Sequence, residues 1–255
     1  MIKKILIPLC VVLVLALGGI GGFAIYNSQK EPEGPKEADP VKAEELYVET
    51  RDTAVEGDAA DPYMTQVDFK ALRELNPDVY AWIKIPGTNI DYPILQSSGE
   101  EIDYYLDWTI DGKYGLPGAI YTQKYNTTGF MDPVTVIYGH NMGKTGTMFT
   151  ELHKYEEREF FDANPYIYIY LPSGRLKYQI FAAVAFDNRY ILGSYNFSDS
   201  EDVSKYISEL KACFQGNVND GADIRNPIIT LSTCITGSPE QRWLVNAVLV
   251  EETRY

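Results

Sequence analysis

The chain has 255 residues, 45% of them hydrophobic, and a formal charge of −14 from 22 Lys and Arg against 36 Asp and Glu. That length and apolar content suit one medium-sized domain plus an appendage, and the acidic balance argues against a nucleic-acid partner, because neutralising phosphates needs a basic surface. Three Cys without a C-x-x-C, two His outside any H-E-x-x-H frame and the absence of a glycine-rich phosphate loop argue against metal and nucleotide sites, so no cofactor is expected.

In chain order, Lys3 and Lys4 close a short tip, residues 1–4, ahead of an uncharged run, 5–26. As a helix that run spans roughly 33 Å at about 1.5 Å per residue, enough to cross a bilayer. Lysines before it and acidic sequence after it predict a single-pass cell-membrane anchor with a cytoplasmic amino end and an extracellular remainder. The rival is a signal peptide cleaved after Ala16-Leu17-Gly18, but the apolar run continues past that site through Phe23 to Tyr26. Cys10, inside the run, reads as an apolar filler. Residues 27–62 carry four basic and eleven acidic side chains, net −7, with Pro32, Pro35 and Pro40. A stretch so polar is expected to be a solvated extracytoplasmic stalk, with a short helix over 42–48.

The folded domain is expected over 63–255. Residues 67–75 have helical spacing, stopped by Asn76-Pro77. Residues 79–85 alternate, turn at Pro86-Gly87-Thr88-Asn89, and return as a strand over 90–95. Further strands are expected at 118–122, 134–138, 166–171, 176–186, 228–233 and 243–250. In 166–171, Ile167, Ile169 and Leu171 share one face and three tyrosines the other. Helical patches fall at 101–106, 147–155, 156–163 and 203–214, the last with Val203, Tyr206, Ile207, Leu210 and Phe214 on one stripe. Eight strands without an internal repeat predict a mainly β domain, a closed or nearly closed barrel decorated by helices.

The chemistry-bearing residues cluster at strand ends. Cys234 ends the apolar strand in Thr230-Leu231-Ser232-Thr233-Cys234, which sets a thiol at a barrel rim with the Ser232 hydroxyl on the same face. Arg242 opens the next strand after a connection over 235–241. If the two strands form a hairpin, a fixed positive charge sits beside the sulfur, where it would lower the thiol pKa or stabilise an oxyanion. His140 follows 134–138 through Gly139, again at a strand end, and an imidazole within reach of the thiol would complete a nucleophile–base pair. Each residue also has a plain structural reading: an inert thiol, a polar turn residue, a surface charge. His153 reads as a helix-surface residue and the poorer base, and Cys213 as a core thiol, with a Cys213–Cys234 disulfide as the rival arrangement.

Together these segments resemble a class B sortase. Thr230-Leu231-Ser232-Thr233-Cys234 resembles the family's T-L-x-T-C nucleophile motif. Tyr138-Gly139-His140-Asn141-Met142 with Gly146-Thr147-Met148-Phe149 resembles its histidine segment, and Arg242 fits its arginine. The match continues upstream through Asn76-Pro77-Asp78-Val79-Tyr80-Ala81-Trp82-Ile83 and Ile90-Asp91-Tyr92-Pro93-Ile94. The resemblance implies an eight-stranded sortase barrel with N-terminal helices and a long helix before the nucleophile strand. It also implies Gram-positive surface-protein anchoring. Cys234 would attack a Thr carbonyl in a C-terminal sorting signal of Asn/Ser-Pro-x-Thr type, His140 would serve as general acid and base, and Arg242 would hold substrate or oxyanion. The thioester would then pass to a peptidoglycan cross-bridge amine. Ser232, Leu106, Tyr190 and Ile191 are the peptide-groove candidates. The family's Asp-Asn pair before Asp-Tyr-Tyr-Leu is Glu101-Ile102 here, so a polar groove contact is expected to be missing. Three rivals stand beside this reading: a pilin polymerase using a lysine acceptor, a hydrolytic cysteine peptidase, and a non-catalytic extracellular binding module.

Overall fold

The computed structural model describes residues 36–57 and 65–255. The expected tip and anchor, 1–4 and 5–26, lie outside these residues, and among the described residues no helix is long and apolar enough to cross a membrane. Helix α1 (Pro40–Ala54) leads into a two-stranded ribbon, β1 (Val55–Gly57) with β2 (Thr65–Val67), then α2 (Phe69–Leu75). There follow β3 (Val79–Lys84), β4 (Asp91–Leu95), α3 (Tyr104–Asp107), β5 (Ile120–Thr122) and β6 (Val134–Tyr138). After two 3-10 turns, Gly143–Thr145 and Thr150–Glu156, come α4 (Arg158–Ala163), β7 (Tyr166–Leu171) and β8 (Gly174–Asp187). The chain ends with α5 (Ile191–Ser194), α6 (Ser200–Lys211), β9 (Gly216–Val218), β10 (Ile228–Ile235) and β11 (Ser238–Arg254).

Eight of these strands close on themselves in the order β11-β10-β6-β5-β4-β3-β7-β8, with β8 pairing back onto β11; β9 is a short addition on β8. The pairs β4–β5 and β6–β10 are parallel and the other barrel pairs antiparallel. Each predicted strand is present, and β8 and β11 run longer than the apolar pattern implied because they pair along most of their length. Val79, Ala81, Trp82 and Ile83 are all fully buried, so β3 is covered on both faces. The two faces of β7 are also both covered. Ile167 and Ile169 are buried on one face and Tyr168 and Tyr170 on the other, with the Arg175 guanidinium 5.5 Å from the Tyr168 ring and Lys177 4.1 Å from that of Tyr166. A second apolar cluster lies under α6, where Tyr206 and Leu210 pack with Val136, Val184, Leu244 and Val248. The Tyr206 hydroxyl is there within 3.0 Å of Thr230 Oγ1 and donates to Asn246 Oδ1 at 3.2 Å.

The folded unit begins earlier than expected: it runs from Glu37 to Tyr255 and takes in the described residues 37–57 of the segment expected as stalk. Asp39 caps α1 by accepting from the Val41 amide, and Pro40 occupies the first turn, where its missing N–H costs nothing. The helix buries Ala43, Tyr47, Thr50 and Ala54, and the Tyr47 hydroxyl donates to the Gly118 carbonyl at 2.7 Å while accepting from the Ile110 amide at 3.2 Å. A buried stripe made of two alanines, a threonine and one tyrosine produces almost no hydrophobic periodicity, so the helix reads as polar sequence.

Candidate active site

Register along β10 assembles the site. β10 pairs in parallel with β6 up to Ser232↔Tyr138, and in antiparallel with β11 through Thr233↔Trp243 and Cys234↔Arg242. Cys234 lies two residues past the last parallel pair on β10, and His140 lies two residues past it in the loop that leaves β6. Cys234 is exposed, while His140 and Arg242 are half-buried. The hairpin brings Arg242 beside Cys234, as its position after the nucleophile strand required, but the connection is not a seven-residue loop. Thr236 and Gly237 form the turn, Gly237 with φ of +80°, and the register shift next to Cys234 leaves Pro239, Glu240 and Gln241 as a bulge on β11. Arg242 Nη1 donates to the carbonyls of Pro239 at 3.0 Å and Gln241 at 2.9 Å. Its hydrogen bonds go to carbonyl oxygens rather than to a carboxylate, so its positive charge is left for the groove.

His140 is set by its backbone and by its ring. The Gly139 amide donates to the Ser232 carbonyl at 3.2 Å, and a Cβ at Gly139 would fall 2.4 Å from Ile120 Cδ1 and 2.7 Å from Phe149 Cδ2. The ring Nε2 lies 2.7 Å from the Leu106 carbonyl oxygen. A carbonyl only accepts, so Nε2 carries the proton and Nδ1 is the nitrogen left to exchange protons. Leu106 is itself anchored, because the Ala119 amide donates to the preceding carbonyl of Tyr105 at 2.9 Å.

All seven residues singled out in the sequence line one open groove of about 380 Å³: Leu106, His140, Tyr190, Ile191, Ser232, Cys234 and Arg242. Asp103, Tyr121, Gln123 and Tyr138 share its lining. They form a network in which Asp103 Oδ1 accepts from the Tyr121 hydroxyl at 3.1 Å and from Gln123 Nε2 at 2.5 Å, and Gln123 Oε1 accepts from the Tyr190 hydroxyl at 2.8 Å. The groove therefore carries a polar network despite Glu101-Ile102. The segment carrying Tyr190 and Ile191 is pinned by Arg189, which pairs with Asp187 and donates to Glu209 Oε2 at 2.8 Å and to the Tyr195 hydroxyl at 3.0 Å. That guanidinium, through its hydrogen bond, holds the Asp187 carboxyl below the usual carboxylate range.

Two groups behind the thiol escaped the sequence reading. Asn141 Nδ2 donates to the Cys234 carbonyl at 3.0 Å. His153 is no freely solvated helix residue: its side chain is 22% exposed, stacked on Trp243, with Nε2 3.0 Å from the same carbonyl and Nδ1 2.6 Å from Glu156 Oε1. Asn141 follows His140 directly and could have been suspected from that adjacency, whereas His153, 81 residues before Cys234, carries no local signal. Cys213 is half-buried and, like Cys234, a free thiol; burial pushes its pKa up.

A closed barrel with a thiol, an imidazole and a guanidinium on one rim matches the nucleophile, base and oxyanion-binding groups that cysteine-dependent acyl transfer needs. Comparison with known proteins makes the class specific. Residues 83–250 match the Sortase domain family model. Sortase B of Listeria monocytogenes is 33% identical over 229 residues, covering 88% of this chain and 89% of that protein. The crystal structure of Clostridium perfringens sortase B superposes with a TM-score of 0.63 at 29% identity, over 71% of this chain and 99% of that one. A Streptococcus pyogenes class B sortase involved in pilus biogenesis gives a TM-score of 0.59 at 28% identity, over 72% and 98%. The chain belongs to the sortase family, on its class B branch, and is a cysteine transpeptidase.

Proposed function

We propose that the protein cleaves a C-terminal sorting signal of Asn/Ser-Pro-x-Thr type after Thr and transfers the surface protein to an amine of the cell-wall cross-bridge. The observation that carries this reading is that Cys234 on β10, Arg242 paired with it on β11 and His140 just past the end of β6 line the mouth of one groove. Cys234 attacks the Thr carbonyl, and the tetrahedral oxyanion is met by the Arg242 protons not engaged by the hairpin carbonyls. His140, held by Leu106 through Nε2, takes the thiol proton on Nδ1 as the sulfur attacks and gives that proton to the departing amine as the scissile C–N bond breaks and the thioester forms. The same nitrogen then takes a proton from the incoming amine, which attacks the thioester and yields a new amide. Leu106, Tyr190, Ile191 and Ser232 line the path of the sorting peptide. The uncharged run 5–26, with Lys3 and Lys4 before it, supports attachment to the cell membrane with the catalytic unit outside.

Intact-mass spectrometry of the full chain in detergent, with peptides varied at the first signal residue and after Thr, tests this reading. A thiol-dependent acyl adduct, resolved by an added amine into a peptide joined at Thr, is expected; adduct formation by Cys234→Ala would overturn the nucleophile assignment. Fractionation of the full chain against one lacking residues 1–26 tests the anchor, which is wrong if both stay in the membrane pellet or neither does. A second reading, pilin polymerisation through a lysine, is favoured by the likeness to the pilus-associated S. pyogenes enzyme. A peptide acceptor reacting through lysine in preference to a cross-bridge amine would select it.

A further inference from the structure

We propose that His153, together with Asn141, is a positioning residue for the nucleophile, fixing the Cys234 carbonyl and through it the direction of the thiol; this rests on Cys234 being the nucleophile. The β-ladder gives out at this point. Pairing of β10 with β6 ends at Ser232, and the register with β11 shifts between Cys234 and Ile235. A peptide at a bulge without regular ladder bonds is free to tilt, and a tilt at Cys234 swings its Cα–Cβ bond. Instead the Cys234 carbonyl is gripped by two side chains, Asn141 Nδ2 and His153 Nε2, each at 3.0 Å.

The grip is built from the three neighbouring elements. Asn141 lies one residue past His140, so one loop both presents the imidazole and holds the nucleophile's backbone. His153 comes from the 3-10 turn Thr150–Glu156, where Glu156 Oε1 sits 2.6 Å from Nδ1. Nδ1 faces the Glu156 carboxylate and Nε2 the Cys234 carbonyl, with Asn141 Nδ2 3.2 Å from the same nitrogen, so the ring donates to the Cys234 carbonyl when its proton is on Nε2. Trp243, next to Arg242 on β11, backs the ring at 5.8 Å between centroids and donates from Nε1 to the Leu152 carbonyl at 2.9 Å, tying the turn to the strand. His153 does not touch the reacting atoms in this arrangement; it acts through the backbone of Cys234.

The test compares His153→Gln with His153→Met in the full chain. The two side chains have similar length, but only glutamine can donate to the Cys234 carbonyl. The readouts are the acylation rate at saturating sorting peptide, its KM, and the unfolding midpoint. His153→Met should lower kcat about tenfold with KM within about twofold, whereas His153→Gln should stay within about threefold of wild type, as loss or retention of one positioning hydrogen bond implies. A folded Met variant with wild-type kcat, or a Gln variant as slow as the Met variant, overturns the proposal. If the Met variant unfolds, His153→Phe, which keeps a ring against Trp243 without a donor, takes its place in the same comparison. An acyl adduct persisting in Cys234→Ala would instead remove the nucleophile assignment beneath it, so the two failures are separable.

Discussion

Replacing Arg242 by lysine keeps the charge and removes the fork. The guanidinium has five N–H donors, and Nη1 is occupied by the Pro239 and Gln241 carbonyls, which leaves Nη2 and Nε for an oxyanion in the groove. A lysine ammonium on a narrower point of attachment cannot hold the bulge and face the reacting carbonyl together. If it turns to the bulge, one oxyanion donor is lost, which costs about 2.7–4 kcal/mol in the transition state, or roughly 100- to 1,000-fold in kcat. If it turns to the groove, two hydrogen bonds of about 0.5–1.5 kcal/mol each are lost from the hairpin, and the Cys234 edge loosens. Either way Arg242→Lys should lower single-turnover acylation about 100-fold. In that second case a hairpin loss of about 1–3 kcal/mol would shift the unfolding midpoint by about 2–4 °C per kcal/mol for a unit of this size. Quenched intact-mass time courses at saturating peptide measure the first quantity and thermal unfolding the second. A lysine variant within about threefold of wild type would remove the fork argument, and a loss confined to KM would make Arg242 a peptide-binding residue instead.

Cys234→Ala should abolish the acyl adduct while leaving the unfolding midpoint unchanged, because the thiol is exposed and free; intact mass and calorimetry check both halves. Gly139→Ala should cost about 1–3 kcal/mol by overpacking, since its Cβ would meet Ile120 and Phe149, and should slow turnover by displacing His140; a variant as stable and active as wild type would contradict the close approach. Tyr47→Phe should lower stability by about 1–3 kcal/mol, because the buried Ile110 amide and Gly118 carbonyl lose their partner, with kcat retained. An unchanged midpoint would return α1 to the stalk. Asp187→Asn should free Arg189 from its carboxylate and loosen the Tyr190–Ile191 segment, raising KM for the sorting peptide more than it lowers kcat; steady-state kinetics separate the two.

The barrel was legible because its strands carry their own signals. Alternation in residues 166–171, the turn at Pro86-Gly87-Thr88-Asn89 and the apolar run ending in Cys234 each map onto an observed strand or turn. The stripe of Val203, Tyr206, Ile207 and Leu210 likewise marks α6, but Phe214, expected on the same stripe, lies beyond the helix end at Lys211 and is exposed. What was misread had weak or misleading local chemistry. Helix α1 has a buried face of small and polar residues inside an acidic segment, so composition outweighed periodicity. The bulge at Pro239–Gln241 looked like loop because a proline and two polar residues interrupt the pattern, and only the pairing of Cys234 with Arg242 and of Ile235 with Ser238 makes it strand.

The site divides in the same way, for a reason specific to its construction. The thiol, the imidazole and the guanidinium are side chains at strand ends, and strand ends are visible in a sequence. Each is held, however, through a main-chain carbonyl: His140 on Leu106, Arg242 on Pro239 and Gln241, and Cys234 by its own carbonyl to Asn141 and His153. Every residue type except proline offers the same main-chain donor and acceptor, and all offer the carbonyl. The acceptor positions therefore leave no mark in the sequence, and the donors that find them arrive from loops with no fixed spacing. His153 is the extreme case, a side chain set apart from Cys234 by 81 residues and joined to its carbonyl by one hydrogen bond at 3.0 Å. In such a site the side chains at the strand ends constrain residue identity, while their orientation depends on backbone geometry, so substitutions that move a carbonyl without touching the groove should also slow turnover. His153, outside the groove lining, is the position at which this barrel puts that expectation to the test.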